Sequence, residues 1–137
     1  FEPLLGPIKF GGWMPDWIIT GGETDQGAHK ARPQHFDWFR EIRDQAEAAG
    51  KAFHHKQHGE HVEIDGLRCR GGHGCRQDRG PGVFWLTREG ERVELDQARA
   101  RGLSPYGASV IMKRVGRAAA GRMLDGVIHD ARPEVRR

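Results

Sequence analysis

Trp17-Ile18-Ile19-Thr20-Gly21-Gly22-Glu23 is followed by a polar loop, a helical pattern from about His35 to Ala49, then Gly50 and Ala52-Phe53-His54-His55-Lys56-Gln57-His58-Gly59. An apolar run closing on two glycines, an amphipathic helix and a second short run compose a β-α-β unit. Its crossover is normally right-handed and joins parallel strands. Phe39, Ile42, Ala46 and Ala49 fall at helical spacing, and Phe36 and Trp38 widen the stripe near its start. Pro33 upstream and Gly50 downstream supply start and stop signals. Arg40 with Asp44, and Arg43 with Glu47, are four apart and are expected to pair on the wet side. Gly21-Gly22 is too short for a dinucleotide fingerprint and suits a tight turn or a close backbone approach.

Working outward, Phe1 to Leu5 reads as the end of a third parallel strand, broken by Gly6-Pro7. Ile8 to Pro15 is too short for a crossover helix, so a helical turn or an irregular arch is expected there. Beyond Gly59 the pattern changes. Val62, Ile64, Leu67 and Cys69 alternate about Asp65-Gly66 as a small hairpin, Gly71 to Gly82 is loop, and Val83–Thr87 with Arg92–Leu95 reads as a second hairpin. Gln97 to Leu103 suits a helical turn or two, and Val110-Ile111-Met112 suits strand or helix equally. Arg117 to Asp125 is expected to be a short helix ended by Gly126, with a frayed tail after His129. The organisation is therefore a β/α core segment over 1–59, a hairpin-rich insertion over 60–103, and a return to the core with a basic tail over 104–137.

The chain has 137 residues and a net charge of +3, enough for one hydrophobic core. After Asp96 the cations Arg99, Arg101, Lys113, Arg114, Arg117, Arg122, Arg132, Arg136 and Arg137 face only Asp125, Asp130 and Glu134. Such scattered charge more often solubilises a surface than grips nucleic acid, which stays a weaker expectation. No apolar run approaches the roughly 18 residues needed to span a bilayer, so no membrane partner and a cytoplasmic location are expected. Cys69 and Cys75 do not amount to a disulfide framework; they read as free thiols or as two ligands of an incomplete metal site.

Several linked motifs carry a resemblance. Phe1-Glu2-Pro3-Leu4-Leu5-Gly6-Pro7-Ile8, Trp17 to Glu23, Ala31-Arg32-Pro33 with Trp38 and Ile42-Arg43-Asp44-Gln45, Phe53 to Gly59, and Val115-Gly116-Arg117 with Ala119 to Gly126 stand in order. Together they resemble the C-terminal half of a phage-associated, radical-SAM-like protein family of uncharacterised function. The resemblance implies a partial β/α-barrel-like parallel sheet, here with a hairpin-rich antiparallel appendage. It also implies an iron-sulfur cluster and S-adenosylmethionine held by an upstream cysteine motif outside this chain, so none is expected in the chain alone. Thr24-Asp25 stands where Ser-Gly is usual, His54-His55 replaces aromatic positions, and His58 occupies a usual Trp.

In parallel sheets the chemistry gathers at the C-terminal ends of strands. Glu2, Glu23, Lys56 and Gln57 fall there, as a rim that holds a cationic ligand, takes a proton, or only fixes loops. Together with the resemblance they define the leading functional expectation, part of a radical-SAM-like substrate pocket. The alternative is a nonenzymatic module that assembles with a missing N-terminal portion, another subunit, a second copy of itself or nucleic acid. Arg117 after Gly116 is a candidate anion seat at a helix start. His61, Cys69, His73 and Cys75 are the metal candidates, and zinc is disfavoured because the spacing lacks a Cys-x-x-Cys knuckle. His54, His58 and His61 offer imidazoles, but residues four apart on a strand do not reach one ion unless the chain bends after Gln57.

Overall fold

The computed structural model describes residues 1–64, 81–103 and 109–134. The β-α-β unit is present: β1 (Trp17–Gly21), α1 (Phe36–Ala48) and β2 (Ala52–Gln57), with β1 and β2 parallel. Phe36, Trp38, Phe39, Ile42 and Ala46 form the buried face of α1, whereas Ala49 is the exposed C-cap. Gly50 follows at φ 63°, in the left-handed conformation that ends a helix without a Cβ clash. At the other end the His35 side chain accepts from the Asp37 amide through Nδ1 at 3.2 Å.

The third parallel strand expected around Leu4 does not form. Phe1 alone pairs with β1: its amine donates to Ile19 O at 2.8 Å, and Gly21 N donates to Phe1 O at 3.2 Å. The next ladder bond would need an N–H at Pro3, which has none. Leu4 N takes over Gly21 O instead, at 3.2 Å. The arm then crosses to α1 as an irregular arch, tied down by Phe10 N to Gln45 Oε1 and by Gln45 Nε2 to Ile8 O.

The expected barrel is therefore overturned. Parallel pairing stops at two strands. Four further strands, β3 (His61–Glu63), β4 (Val83–Thr87), β5 (Arg92–Val93) and β6 (Ser109–Arg114), form a separate antiparallel sheet in the order β3-β6-β4-β5. The β4–β5 hairpin forms, with β5 ending at Val93 rather than Leu95, and the short helix α2 (Leu95–Ala100) starts two residues before the expected Gln97. Of the first hairpin only the strand through Val62 is described, because Asp65 to Cys69 lie outside the described residues. The segment around Val110 to Met112 is strand, and it sits between β3 and β4. Phe84, Leu86 and Met112 from this sheet share one core with Leu4, Ile18 and the α1 aromatics. Trp38 also donates from Nε1 to Arg88 O at 2.8 Å, in the β4–β5 turn.

The expected helix over Arg117 to Asp125 is cut short. α3 spans Arg117–Ala120, Gly121 breaks it at φ 69°, and β7 (Met123–Leu124) pairs antiparallel with β8 (Val127–Ile128). Asp125 at φ 55° and Gly126 at φ 80° are the two left-handed residues of a type I′ hairpin turn. Arg40 and Arg43 abandon their expected helical partners to hold this turn. Arg40 reaches Asp125 at 2.9 Å, Asp37 at 2.9 Å and Glu63 at 3.0 Å, while Arg43 reaches Asp125 at 2.6 Å. Gly126→Ala is expected to cost about 1 to 2 kcal/mol, the usual penalty for an L side chain in that region; the urea midpoint reads it.

Nor is the segment after His129 frayed at its start. His55 N donates to His129 O at 2.8 Å, His54 bridges antiparallel to Asp130, and Trp17 Nε1 donates to Ala131 O at 3.0 Å. The outer edge of β2 is thus covered by the tail.

Candidate functional site

Alternation along β1 and β2 gives the parallel pair two unlike faces. Ile18, Thr20, Phe53 and His55 are buried, and His55 lies against Phe39 of α1 with ring centroids 4.6 Å apart. The opposite face presents Trp17, Ile19, His54 and Lys56, which are half-buried or exposed.

At the C-terminal ends of the strands the four rim residues separate into two groups. Lys56 Nζ donates to both Glu2 oxygens at 3.0 and 3.1 Å, and Gln57 Nε2 donates to Glu2 Oε1 and Gly22 O at 3.2 Å each. This first group tacks the N-terminal arm over Gly21. Its ion pair is largely solvated and contributes at most about 1 kcal/mol.

Glu23 belongs to the second group. Its carboxylate receives Arg32 N at 2.8 Å, Arg32 Nε at 2.9 Å, Arg32 Nη2 at 2.8 Å and His29 Nε2 at 3.2 Å. The Arg32 guanidinium hydrogen bond, joined by the Arg32 amide and His29, holds its pKa at about 2. A carboxylate so acidic and so fully engaged is a poor general base near neutrality; it pins the loop that leads to α1. Arg32→Met is expected to return the Glu23 titration toward the ordinary range near 4.3, read by carboxyl carbon NMR.

The sequence reading passed over a third group. Asp25 receives Ala31 N at 2.9 Å, Lys30 Nζ at 3.1 Å and Arg114 Nη2 at 2.6 Å, which keeps its pKa well below the usual range, chiefly through the Ala31 amide. Glu60 receives Asp25 N at 3.3 Å and Arg117 N at 3.1 Å. At the expected anion seat the Arg117 amide is taken up by the chain's own Glu60 carboxylate.

The histidines form a buried line. Thr20 Oγ1 lies 3.0 Å from His55 Nδ1, His55 Nε2 lies 2.9 Å from His58 Nδ1, and His58 Nε2 lies 2.8 Å from Met123 O. The carbonyl can only accept, so His58 Nε2 carries a proton. With both rings neutral, His58 Nδ1 then accepts from His55 Nε2, and His55 Nδ1 accepts from the Thr20 hydroxyl. Burial is the main reason both pKa values are lowered, that of His55 to about 3. The chain does bend after Gln57, but both nitrogens of His55 and of His58 are spent on this line. His61 sits in β3 beside Phe84, its pKa lowered by burial to about 4. Cys69, His73 and Cys75 lie outside the described residues. Among the described residues no three His, Cys, Asp or Glu side chains are grouped to hold a metal ion, and no helix is long and apolar enough to cross a membrane.

Concave surface lies elsewhere. Two cavities of about 860 and 660 Å³ flank Asp16 and Lys51 at the N-terminal ends of β1 and β2, the second lined also by Phe10, Trp13 and Met14.

A family model described as "Protein of unknown function (DUF5131)" matches residues 1–133. The chain belongs to this DUF5131 family. No curated protein and no solved structure matches it. In this DUF5131 chain the expectation of a radical-SAM-like pocket, and with it an iron-sulfur family assignment, is overturned. The parallel sheet does not close into a barrel, and the described residues bring together no metal-ligating cluster. The rim carboxylates are instead tied into loop-fixing ion pairs.

Proposed function

We propose that this domain is an assembly module that takes a protein strand along the free part of β1. The observation that carries the reading is the hydrogen-bond pattern of β1. Ala52 N donates to Asp16 O and Gly22 N to Gln57 O, so alternate residues of β1 face β2 and Trp17, Ile19 and Gly21 face outward. Phe1 and Leu4 satisfy Ile19 O and both groups of Gly21. The N–H and C=O of Trp17 and the N–H of Ile19 have no partner among the described residues. An unpaired stretch of strand edge is a template for another chain.

Two further features favour a protein partner. Parallel strands are normally covered on both faces, and here the face opposite α1 carries the half-buried Ile19 and His54 with the exposed Trp17 and Lys56. Phe1, Leu5, Trp13 and Trp17 are also 48, 55, 76 and 41% exposed. Nucleic acid is less favoured, since Arg32, Arg40, Arg43, Arg88, Arg101 and Arg114 each already face a carboxylate.

Hydrogen exchange by NMR tests the reading. The Trp17 and Ile19 amides are expected to exchange at least about tenfold faster than those of Ile18 and Thr20, which bond to β2. Equal protection of all four would mean that the edge is already closed, and would end the proposal.

A further inference from the structure

We infer that the strand which docks on β1 runs parallel to it and is polypeptide joined directly to the amine of Phe1; this rests on the assembly reading above. Direction is written in the bonds around Phe1. Its nitrogen donates to Ile19 O and its carbonyl accepts from Gly21 N, so one residue bonds to two residues that flank Thr20. That is the signature of a parallel ladder. In an antiparallel ladder both bonds would be exchanged with a single residue.

The Phe1 amine already does what a peptide N–H at that place would do. Stepping back by the strand period, the second residue ahead of Phe1 falls opposite Ile18. Its N–H meets Trp17 O, and its C=O meets the Ile19 amide. The fourth residue ahead presents its C=O to the Trp17 amide. These are the outward groups that lack partners, and they are met in order.

Side-chain chemistry follows from the same register. Residues paired across a ladder point to the same face. The second residue ahead of Phe1 would stand beside Ile18, which is fully buried, on the face that α1 covers, so an apolar side chain is required. The first residue ahead aligns with the half-buried Ile19 on the opposite, partly exposed face and tolerates a polar one.

A second copy of the chain fits poorly. Phe1 and Leu4 already occupy the Gly21 end, so an antiparallel two-fold contact would have only Trp17 to Ile19 to share. A parallel two-fold contact would set like groups opposite each other at one height, N–H against N–H.

The test adds Thr-Val-Thr-Val-Thr ahead of Phe1 and follows amide exchange by NMR in the unextended and extended chains. The extension is expected to slow the Ile19 and Trp17 amides by about tenfold each. Within the extension, the amide of the second residue ahead of Phe1 should be protected and those of the first and third should not. A proline at the second position, which removes the donor to Trp17 O, should erase the gain in Tm; a proline at the first position should leave most of it.

The two levels of the proposal fail differently. Protected Trp17 and Ile19 amides in the unextended chain would end the assembly reading itself. If those amides are open there, and stay open in the extended chain while a separate Thr-Val-Thr-Val-Thr peptide or self-association protects them, the edge docks a strand but the inferred occupant is wrong. Open amides under all of these conditions would overturn both.

Discussion

Gly22→Ala is expected to remove a large share of the domain's stability, whereas Gly21→Ala, one residue away, is expected to be mild. A Cβ placed on Gly22 would lie 2.1 Å from His58 O, 2.3 Å from His58 C and 2.6 Å from Gly59 N, closer than any real side chain comes. All three atoms are backbone, so no rotamer change relieves the contact. The strands would have to part where Gly22 N bonds to Gln57 O at 2.9 Å, and the ladder would open at its C-terminal end. Overpacking commonly costs 1 to 3 kcal/mol, and with rigid atoms on both sides we expect about 3 or more. Against a typical total of about 5 to 15 kcal/mol, that is enough to lower a urea midpoint sharply. At Gly21 the added atom would meet only the Glu2 carboxyl end, at 3.0 to 3.2 Å. That side chain can swing away with the loss of its contacts to Lys56 and Gln57, for a cost below about 1 kcal/mol. Gly59→Ala should resemble Gly22→Ala, because its Cβ would fall 2.3 Å from Glu23 O and its φ is +81°. Equal midpoints for the Gly21 and Gly22 variants would show that the close approach is not as drawn.

That contact explains why the two-glycine ending of β1 was legible in the sequence: adjacent glycines after an apolar run mean that something comes close, and here the second strand's exit does. The α1 stripe and the parallel pairing across it were legible for a similar reason, since each rests on a local period. What was not legible depended on where a period stops. The residues of β2 alternate only to Gln57, and His58 leaves the strand to join His55 on the buried side, so a strict strand pattern placed it on the wrong face. Pro3 was in plain view as a residue that cannot donate to Gly21 O, and it limits the expected third strand to one residue. Asp125-Gly126 was equally visible as a type I′ hairpin pair; taking Gly126 as a helix stop hid β7 and β8. The pairing of β6 with β3 and β4, by contrast, joins residues far apart in the chain, and a short Val-Ile-Met run carries no sign of its neighbours. Of the expected rim, Glu2 meets Lys56 and Gln57 although the strand expected to carry Glu2 does not form, and nothing in the sequence foreshadowed that Arg32 would claim Glu23.

Acid should unfold this domain early, beginning well above the carboxylate range. Burial lowers the pKa values of His35, His55, His58 and His61, to about 3 for His55 and about 4 for His61. In the unfolded chain each would titrate near 6.5. Between those limits the unfolded state binds more protons than the folded one, so stability is full above about pH 6.5 and falls as the pH drops toward the folded values. Each such group contributes about 1.4 kcal/mol per pH unit within its window. His55 and His61 alone therefore remove about 3 to 4 kcal/mol between pH 6.5 and 5. The hydrogen-bond line adds a structural limit. One proton on His58 can be met by reversing His55, so that its Nε2 accepts and its Nδ1–H turns to Thr20, but the charge then sits between Phe36, stacked at 4.3 Å, and Phe39. A second proton, on His55, would set N–H against N–H with no reversal left. The other titrating groups act elsewhere. Glu23 and Asp25, with lowered values, lose their contribution only as the pH falls below the ordinary carboxylate range. Glu63, raised by burial, works in the opposite sense by taking its proton more readily when folded. Unfolding free energies from urea titrations between pH 7.5 and 4 should decline from about pH 6.5 along a slope of two or more protons, and His55→Gln should reduce that slope by about one. A flat profile above pH 5 would mean that these imidazoles are not held neutral by burial. A decline confined to below pH 4.5 would assign the acid sensitivity to the carboxylates instead.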